Sequence, residues 1–286
     1  MPGNRSVKII ECPRDAMQGW PNMIPANKKI IYINELFKVG FDTLDVGSFV
    51  SAKAIPQMAD TREVITSLNK DRNGTNLLAI VANTRGANEA LLHEEISYLG
   101  FPLSISETFQ LRNTNASITS GIETIKEIQE LCLKNNRSLV VYISMAFGNP
   151  YGDIYHQDIV SDYVSQMISL EIPVISVADT IGIATSQQIS DILPTLITTY
   201  PSTEFGVHLH SVRESSEKID AALEAGCRRF DGAIKGIGGC PMAGNELVGN
   251  MDTEYMTEHF ISKGFDTGLN REALRKCSLI ASDIFI

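Results

Sequence analysis

The chain has 286 residues, 43% of them hydrophobic, which is enough to bury one large α/β domain or two smaller ones. Its formal net charge of -10 and pI near 5.0 argue against nucleic acid or an anionic membrane as a partner; an anionic ligand would need a local positive site. No apolar run reaches the roughly 18 residues of a membrane span. The first six residues carry no apolar signal region. The five cysteines (Cys12, Cys132, Cys227, Cys240 and Cys277) are odd in number and lack C-x-x-C spacing, as expected of reduced thiols in a cytoplasm.

In chain order, the apolar pattern predicts a strand over 7–12, ended by Pro13, and a helix over 25–39 that stops at Gly40. Further strands are predicted over 43–47, 76–82, 102–106, 138–144, 173–178, 204–207 and 228–233. Helices over 61–69, 86–99, 118–135, 157–170, 186–200 and 214–225 alternate with them. Several of the strands are nearly unbroken apolar runs, as strands buried on both faces should be. Eight strands at βαβ spacing close most economically into a TIM (β/α)8 barrel, with extra C-terminal helices. The expected organisation is a single catalytic domain over 1–286, the barrel covering about 7–235 and a C-terminal loop and helices about 236–286. An open doubly wound sheet is the competitor, but no G-x-G-x-x-G follows the first strand.

A barrel concentrates its chemistry at the C-terminal ends of its strands. Those ends carry Arg14 and Asp15, Asp45, Asn83 to Arg85, Ser144, Asp179 and Thr180, then His208 and His210. Side chains two apart on a strand share a face, roughly 7 Å apart. His208 and His210 could therefore hold one metal ion, or be one buried and one solvated histidine. Asp15 could join them or serve as a turn residue, and Asp179 could cap the next helix. Asp45 sits inside an apolar strand, where an unpaired carboxylate is costly; it reads equally as a partner of the site or as an ordinary buried ion pair. The run from Lys235 to Pro241 is rich in glycine and carries Cys240, but it lacks the ending of a P-loop. Asn250 could offer an amide oxygen to a metal or simply form a turn. His93, His156 and His259 fall away from the strand ends and read as structural or solvated.

Taken together and in order, these motifs resemble the 3-hydroxy-3-methylglutaryl-CoA lyase family. The resemblance is carried by Pro13-Arg14-Asp15-Ala16-Met17-Gln18, by Gly47-Ser48-Phe49-Val50-Ser51-Ala52-Lys53 and by Pro56-Gln57-Met58. It continues through Asp179-Thr180-Ile181-Gly182, the H-x-H at His208 and His210, Gly236-Ile237-Gly238-Gly239-Cys240-Pro241, and Gly249-Asn250-Met251. It implies a TIM barrel that uses Mg²⁺ or Mn²⁺ to cleave 3-hydroxy-3-methylglutaryl-CoA, or a close 3-hydroxyacyl-CoA, to acetoacetate and acetyl-CoA. It further implies Asp15, His208, His210 and Asn250 as metal ligands, Arg14 as the group facing the enolate of the departing acetyl-CoA, and Cys240 as the acid that protonates it. Asp45 matches a family glutamate near the metal, and Asp179 a family active-site aspartate. Arg14, Gln18, Ser48, Lys53, Ser144 and Thr180 are the expected substrate-binding residues. The expected partners are an acyl-CoA substrate and a second copy of the chain in a dimer, with no nucleic acid and no membrane.

The sequence departs from the family pattern at several positions. Cys12 and Ala16 stand where glycines are common, and Asp45 is one methylene shorter than glutamate. Ser211-Val212-Arg213 replaces Asp-Thr-Tyr, Met242 replaces a tyrosine, and the segment from Cys240 to Asn250 is one residue longer. Two other functions share parts of the pattern. One is a Claisen-type synthase of the isopropylmalate or homocitrate kind; the other is a barrel that binds an acyl-CoA without turning it over.

Overall fold

A computed structural model describes residues 5–210, 215–239 and 248–286. Eight strands form one closed barrel: β1 (Lys8–Glu11), β2 (Thr43–Ser48), β3 (Asn76–Ile80), β4 (Ile96–Ser104), β5 (Ser138–Ser144), β6 (Val174–Ala178), β7 (Glu204–His208) and β8 (Arg229–Gly232). Every neighbouring pair is parallel, and β8 pairs with β1 to close the ring. Helices follow most strands, and two more, Thr253–Ser262 and Arg271–Ile284, complete the C-terminal part, as the TIM-barrel reading requires. Among the described residues no helix is long and apolar enough to cross a membrane.

The apolar strands explain why the sheet closes. Outward side chains such as Leu44, Leu77, Leu139, Ile175 and Val207 pack with the helices into one continuous buried cluster. A second, smaller cluster lies inside the ring: Leu78, Ile80, Val140, Tyr142 and Val174, with Tyr98 packed against it. The two clusters are separate because successive strand residues point to opposite faces. The interior is therefore a packed core below and a polar site above, as expected of an eight-stranded barrel.

Two differences from the sequence pattern stand out. The helix predicted over 86–99 is a short helix, Thr84–Ala90, and the last four residues of that stretch, Ile96 to Leu99, belong to β4. Ile96 to Leu99 pair with Leu77 to Ala79 on one side, and from Tyr98 onward with β5 on the other. A buried apolar run satisfied by two neighbouring strands cannot remain helical, although its local spacing permits a helix. The short helices Pro13–Gln18 and Glu107–Thr114 carry no strong periodic signal and were not expected. The predicted helix over 214–225 is described as Ser216–Glu224.

Candidate active site

The C-terminal rim of the barrel gathers the site. β7 ends at His208, and His210 lies just beyond it, bridged antiparallel to Asn250. The two imidazole centroids are 4.8 Å apart. Asp15, in the first turn of the helix after β1, completes a group with them: one ligand atom from each of Asp15, His208 and His210 lies within 4.8 Å of the others. Each histidine has one nitrogen already committed. His208 Nδ1 faces Asp231 Oδ2 at 3.1 Å, and His210 Nδ1 faces the Asp179 carbonyl oxygen at 2.8 Å. A ring N–H directed at an oxygen leaves the lone pair on the opposite nitrogen, the arrangement that presents Nε2 to a cation.

The test of whether this group suits a metal lies in its orphaned atoms. His210 Nε2 and Asn250 Oδ1 are both buried and lack a hydrogen-bond partner among the described residues. Asn250 spends its Nδ2 on Asp15 Oδ2 at 2.8 Å and on the Ile237 carbonyl at 2.9 Å, so its oxygen is left as an acceptor. Buried polar atoms are rarely left unpaired, and two lone pairs beside a carboxylate fit a divalent ion. The glycine loop closes over the same point. Gly239 donates its N–H to Asp15 Oδ2 at 3.0 Å. A Cβ on Gly238, whose φ is +110°, would stand 2.7 Å from Asn250 Nδ2 and 2.8 Å from the Asp15 carbonyl oxygen, so only glycine passes there.

Electrostatics follow from burial. Burial raises the Asp15 pKa, but Arg14 and the two imidazoles outweigh it and hold the carboxyl at about 2. His210 is lowered to about 4 by burial and by the neighbouring His208, so it is neutral at pH 7. Burial works to lower His208, yet its hydrogen bond to Asp231 and the charges of Asp231 and Asp15 raise it. Arg14 grips Asp45: Nε donates to Oδ2 at 3.0 Å and Nη2 to Oδ2 at 2.5 Å, while Nη1 donates to Asp15 Oδ1 at 3.1 Å. One N–H on each terminal nitrogen of Arg14 remains uncommitted. Burial pushes Asp45 up to about 6 despite Arg14.

These groups open into a cleft of about 580 Å³. Arg14, Asp45, His208, His210, Ser144 and Thr180 line it together with Ile80, Pro102, Phe109, Asn113, Tyr142 and Ala178. A larger cavity of about 1100 Å³ shares Ile80, Pro102 and Asn113 with it and adds Gln18, Asn83 and Arg112. Gln18 also donates to Asp15 Oδ1 at 2.7 Å. Ser48 is buried in a neighbouring pocket with its hydroxyl unpartnered among the described residues, and Lys53 is exposed outside both cavities. The Asp179 side chain is turned away from the cleft. Its oxygens accept from Lys218 Nζ at 2.7 Å and Ala184 N–H at 3.0 Å, and its backbone is what reaches the histidines: the carbonyl faces His210 Nδ1 and the N–H donates to the His208 carbonyl at 2.9 Å. Cys240, Ser211 and Met242 lie outside the described residues.

Three residues were not singled out from the sequence. Lys218 ties Asp179 Oδ2 to the His210 and Gly182 carbonyls, locking the ends of β6 and β7 together. Asp231 orients His208. Arg229 lies two residues before it, with all three guanidinium nitrogens buried and lacking hydrogen-bond partners among the described residues; Asp42 Oδ1 is 3.7 Å from Nη1. Its stem crosses Gly206, where a Cβ would stand 2.9 Å from Arg229 Cδ. Only the alternation of β8, which turns Asp231 and Arg229 to the same face, could have hinted at these two.

Comparison with known proteins places this architecture. Residues 7–280 match the HMGL-like family model. The chain is 32% identical over 266 residues to hydroxymethylglutaryl-CoA lyase YngG of Bacillus subtilis, covering 90% of this chain and 87% of that one. It is 31% identical over 274 residues to the mitochondrial hydroxymethylglutaryl-CoA lyase of Bos taurus, covering 94% and 83%. Among solved structures it resembles an HMG-CoA lyase of Acinetobacter baumannii in complex with coenzyme A and 3-methylmalate. That match has a TM-score of 0.92 at 29% identity and covers 100% of this chain and 93% of that one. The HMG-CoA lyase of Bacillus subtilis superimposes with a TM-score of 0.93 at 29% identity, covering 100% and 95%. The chain thus belongs to the HMGL-like family, as a hydroxymethylglutaryl-CoA lyase-like carbon–carbon lyase.

Proposed function

We propose that the protein cleaves 3-hydroxy-3-methylglutaryl-CoA, or a close 3-hydroxyacyl-CoA, to acetoacetate and acetyl-CoA with the help of Mg²⁺ or Mn²⁺. The observation that carries this reading is the convergence of Asp15, His208 and His210, with the unpaired His210 Nε2 and Asn250 Oδ1, beside Arg14 and Asp45 in one cleft. Asp15, His208, His210 and Asn250 would hold a divalent ion, which when bound acidifies a substrate hydroxyl and fixes its orientation.

The remaining work falls to the chain. The tertiary hydroxyl must lose its proton, the adjacent C–C bond must break with its electrons moving onto the thioester carbonyl, and the resulting enolate must be protonated at carbon. Asp45 lines the cleft with a pKa near 6, suited to accept the hydroxyl proton at neutral pH. Arg14 retains uncommitted N–H bonds on both terminal nitrogens, and these can stabilise negative charge as it develops on the thioester oxygen. Asp45 and Asp15 hold that guanidinium in place, so little reorganisation is needed during the reaction. The apolar walls at Ile80, Pro102 and Phe109 keep bulk water from the enolate. The adjoining larger cavity, with Gln18 and Arg112 on its walls, suits the pantetheine arm of coenzyme A. Cys240 on the glycine loop is our candidate for the acid that protonates the enolate carbon.

Turnover of a panel of 3-hydroxyacyl-CoA thioesters by chelator-stripped protein, with and without added Mg²⁺ or Mn²⁺, tests this reading. Activity should return only with metal. Full turnover by the stripped protein would remove the metal assignment; no turnover of any thioester with metal present would remove the lyase assignment.

A further inference from the structure

His208 belongs to two groups of ligands. On one side stand Asp15 and His210; on the other, deeper in the barrel, stand Cys12 and Asp231. One ligand atom from each of Cys12, His208 and Asp231 lies within 4.8 Å of the others. Cys12 and Asp231 are buried, and the His208 side chain is only 12% exposed. The inner group is not saturated by its surroundings. Among the described residues Asp231 Oδ1 has no hydrogen-bond partner, and the Cys12 thiol makes only a long contact of 3.7 Å to the Ile10 carbonyl.

We propose that Cys12, His208 and Asp231 form a second divalent-cation site, selective for thiophilic ions such as Zn²⁺, and that its occupation excludes the ion at Asp15, His208 and His210. Three protein ligands leave a fourth position for water, as in open zinc sites. Bonds near 2.0 Å place neighbouring ligands of a tetrahedron roughly 3.3 Å apart. The Nδ1 to Oδ2 distance of 3.1 Å is already close to that edge, so mainly the sulfur must move inward.

Selectivity and exclusion both follow from the ligands. The charge of Arg229 acts on Asp231 and opposes any cation beside it. Charge alone does not choose between the ions, because Asp45, Asp15 and Glu11 act on Cys12 with the opposite sign; the bond to thiolate sulfur does, and it favours Zn²⁺ over Mg²⁺. A neutral imidazole has one lone pair. When Nδ1–H donates to Asp231, the lone pair is on Nε2 and serves the outer group. When Nδ1 binds a cation in the inner group, the ring proton must sit on Nε2, which can no longer bind the outer ion. Binding at the inner site shifts the His208 proton from Nδ1 to Nε2 and releases the Cys12 thiol proton to solvent, one proton per ion. The exclusion rests on the proposed outer site; the inner site itself does not.

Cobalt tests both parts. Chelator-stripped protein titrated with Co²⁺ should develop a sulfur-to-cobalt charge-transfer absorption that saturates near one equivalent. The band should vanish in Cys12→Ser and persist in Cys240→Ala; Cys12→Ala, which adds no polar group, serves if the serine variant folds poorly. In the wild type, Zn²⁺ should release bound Mn²⁺, seen as a rise in the free-ion electron paramagnetic resonance signal, and the release should weaken at least tenfold in Cys12→Ala. Absence of the band in wild-type protein, or its survival in the Cys12 variants, overturns the inner site. Simultaneous binding of Zn²⁺ and Mn²⁺ overturns the exclusion. If the lyase reading alone is wrong, the band still forms; if the inner site alone is wrong, metal-supported turnover remains without it.

Discussion

Replacing Asp15 by asparagine probes the anionic centre of the site without changing its shape. Four N–H groups converge on this carboxylate: Arg14 Nη1 and Gln18 Nε2 on Oδ1, and Asn250 Nδ2 and the Gly239 amide on Oδ2. An asparagine can accept with one oxygen only, and its NH₂ would face donors. The native carboxyl is held at about 2 against an ordinary 3.8, and at about 1.36 kcal/mol per pKa unit the interval stabilises the metal-free fold by about 2 kcal/mol. A lowered pKa contributes stability that is present above 3.8 and lost as pH falls through 2. Asp15→Asn should therefore be about 2 kcal/mol less stable than wild type at pH 7 in the presence of chelator, and the gap should narrow as pH drops below 4. Denaturant titrations of both proteins across that range measure it. Added Mn²⁺ should raise the wild-type midpoint and leave that of the variant unchanged. Equal stabilities at pH 7, or a gap that ignores pH, would refute the electrostatic account of this carboxylate.

Arg14→Lys keeps the charge but loses the fork that grips Asp45 while pointing N–H bonds into the cleft. Steady-state kinetics should show kcat falling about 10²-fold or more with a smaller change in KM; an effect on KM alone would make Arg14 a substrate anchor. Glu11 offers a prediction away from the cleft. Burial pushes it up to about 8, and its oxygens meet the Ile234 N–H at 2.9 Å and the Thr253 hydroxyl at 2.6 Å. A raised pKa contributes stability below 4.5 that is lost as pH rises toward 8. Glu11→Gln, which mimics the protonated acid, should gain on wild type across that window by up to about 5 kcal/mol. Melting curves at pH 5 and pH 8 check the sign.

The sequence by itself determined the barrel and most of the rim. Strand-period apolar runs separated by helical ones leave few ways to bury both faces of eight strands, and β5 was legible residue for residue from Ser138 to Ser144 because its run is unbroken and bounded by polar residues. His208 and His210 could be paired because a strand has a period of two, and Asp15 and Arg14 stood out because they follow a strand that ends at a proline. What the tertiary structure decided depends on registers between strands that no local pattern records. His208 meets Asp231 because β7 pairs with β8 in that register, and Cys12 joins them because β8 closes onto β1. The Asp179 side chain turns toward Lys218, which arrives on a helix 39 residues later, so a carboxylate that the family resemblance assigns to the active site meets a lysine with its side chain and His210 with its carbonyl. Periodicity is a property of neighbours along the chain, whereas the partner of a buried charge is chosen by whatever the closed ring brings within a few ångströms of it.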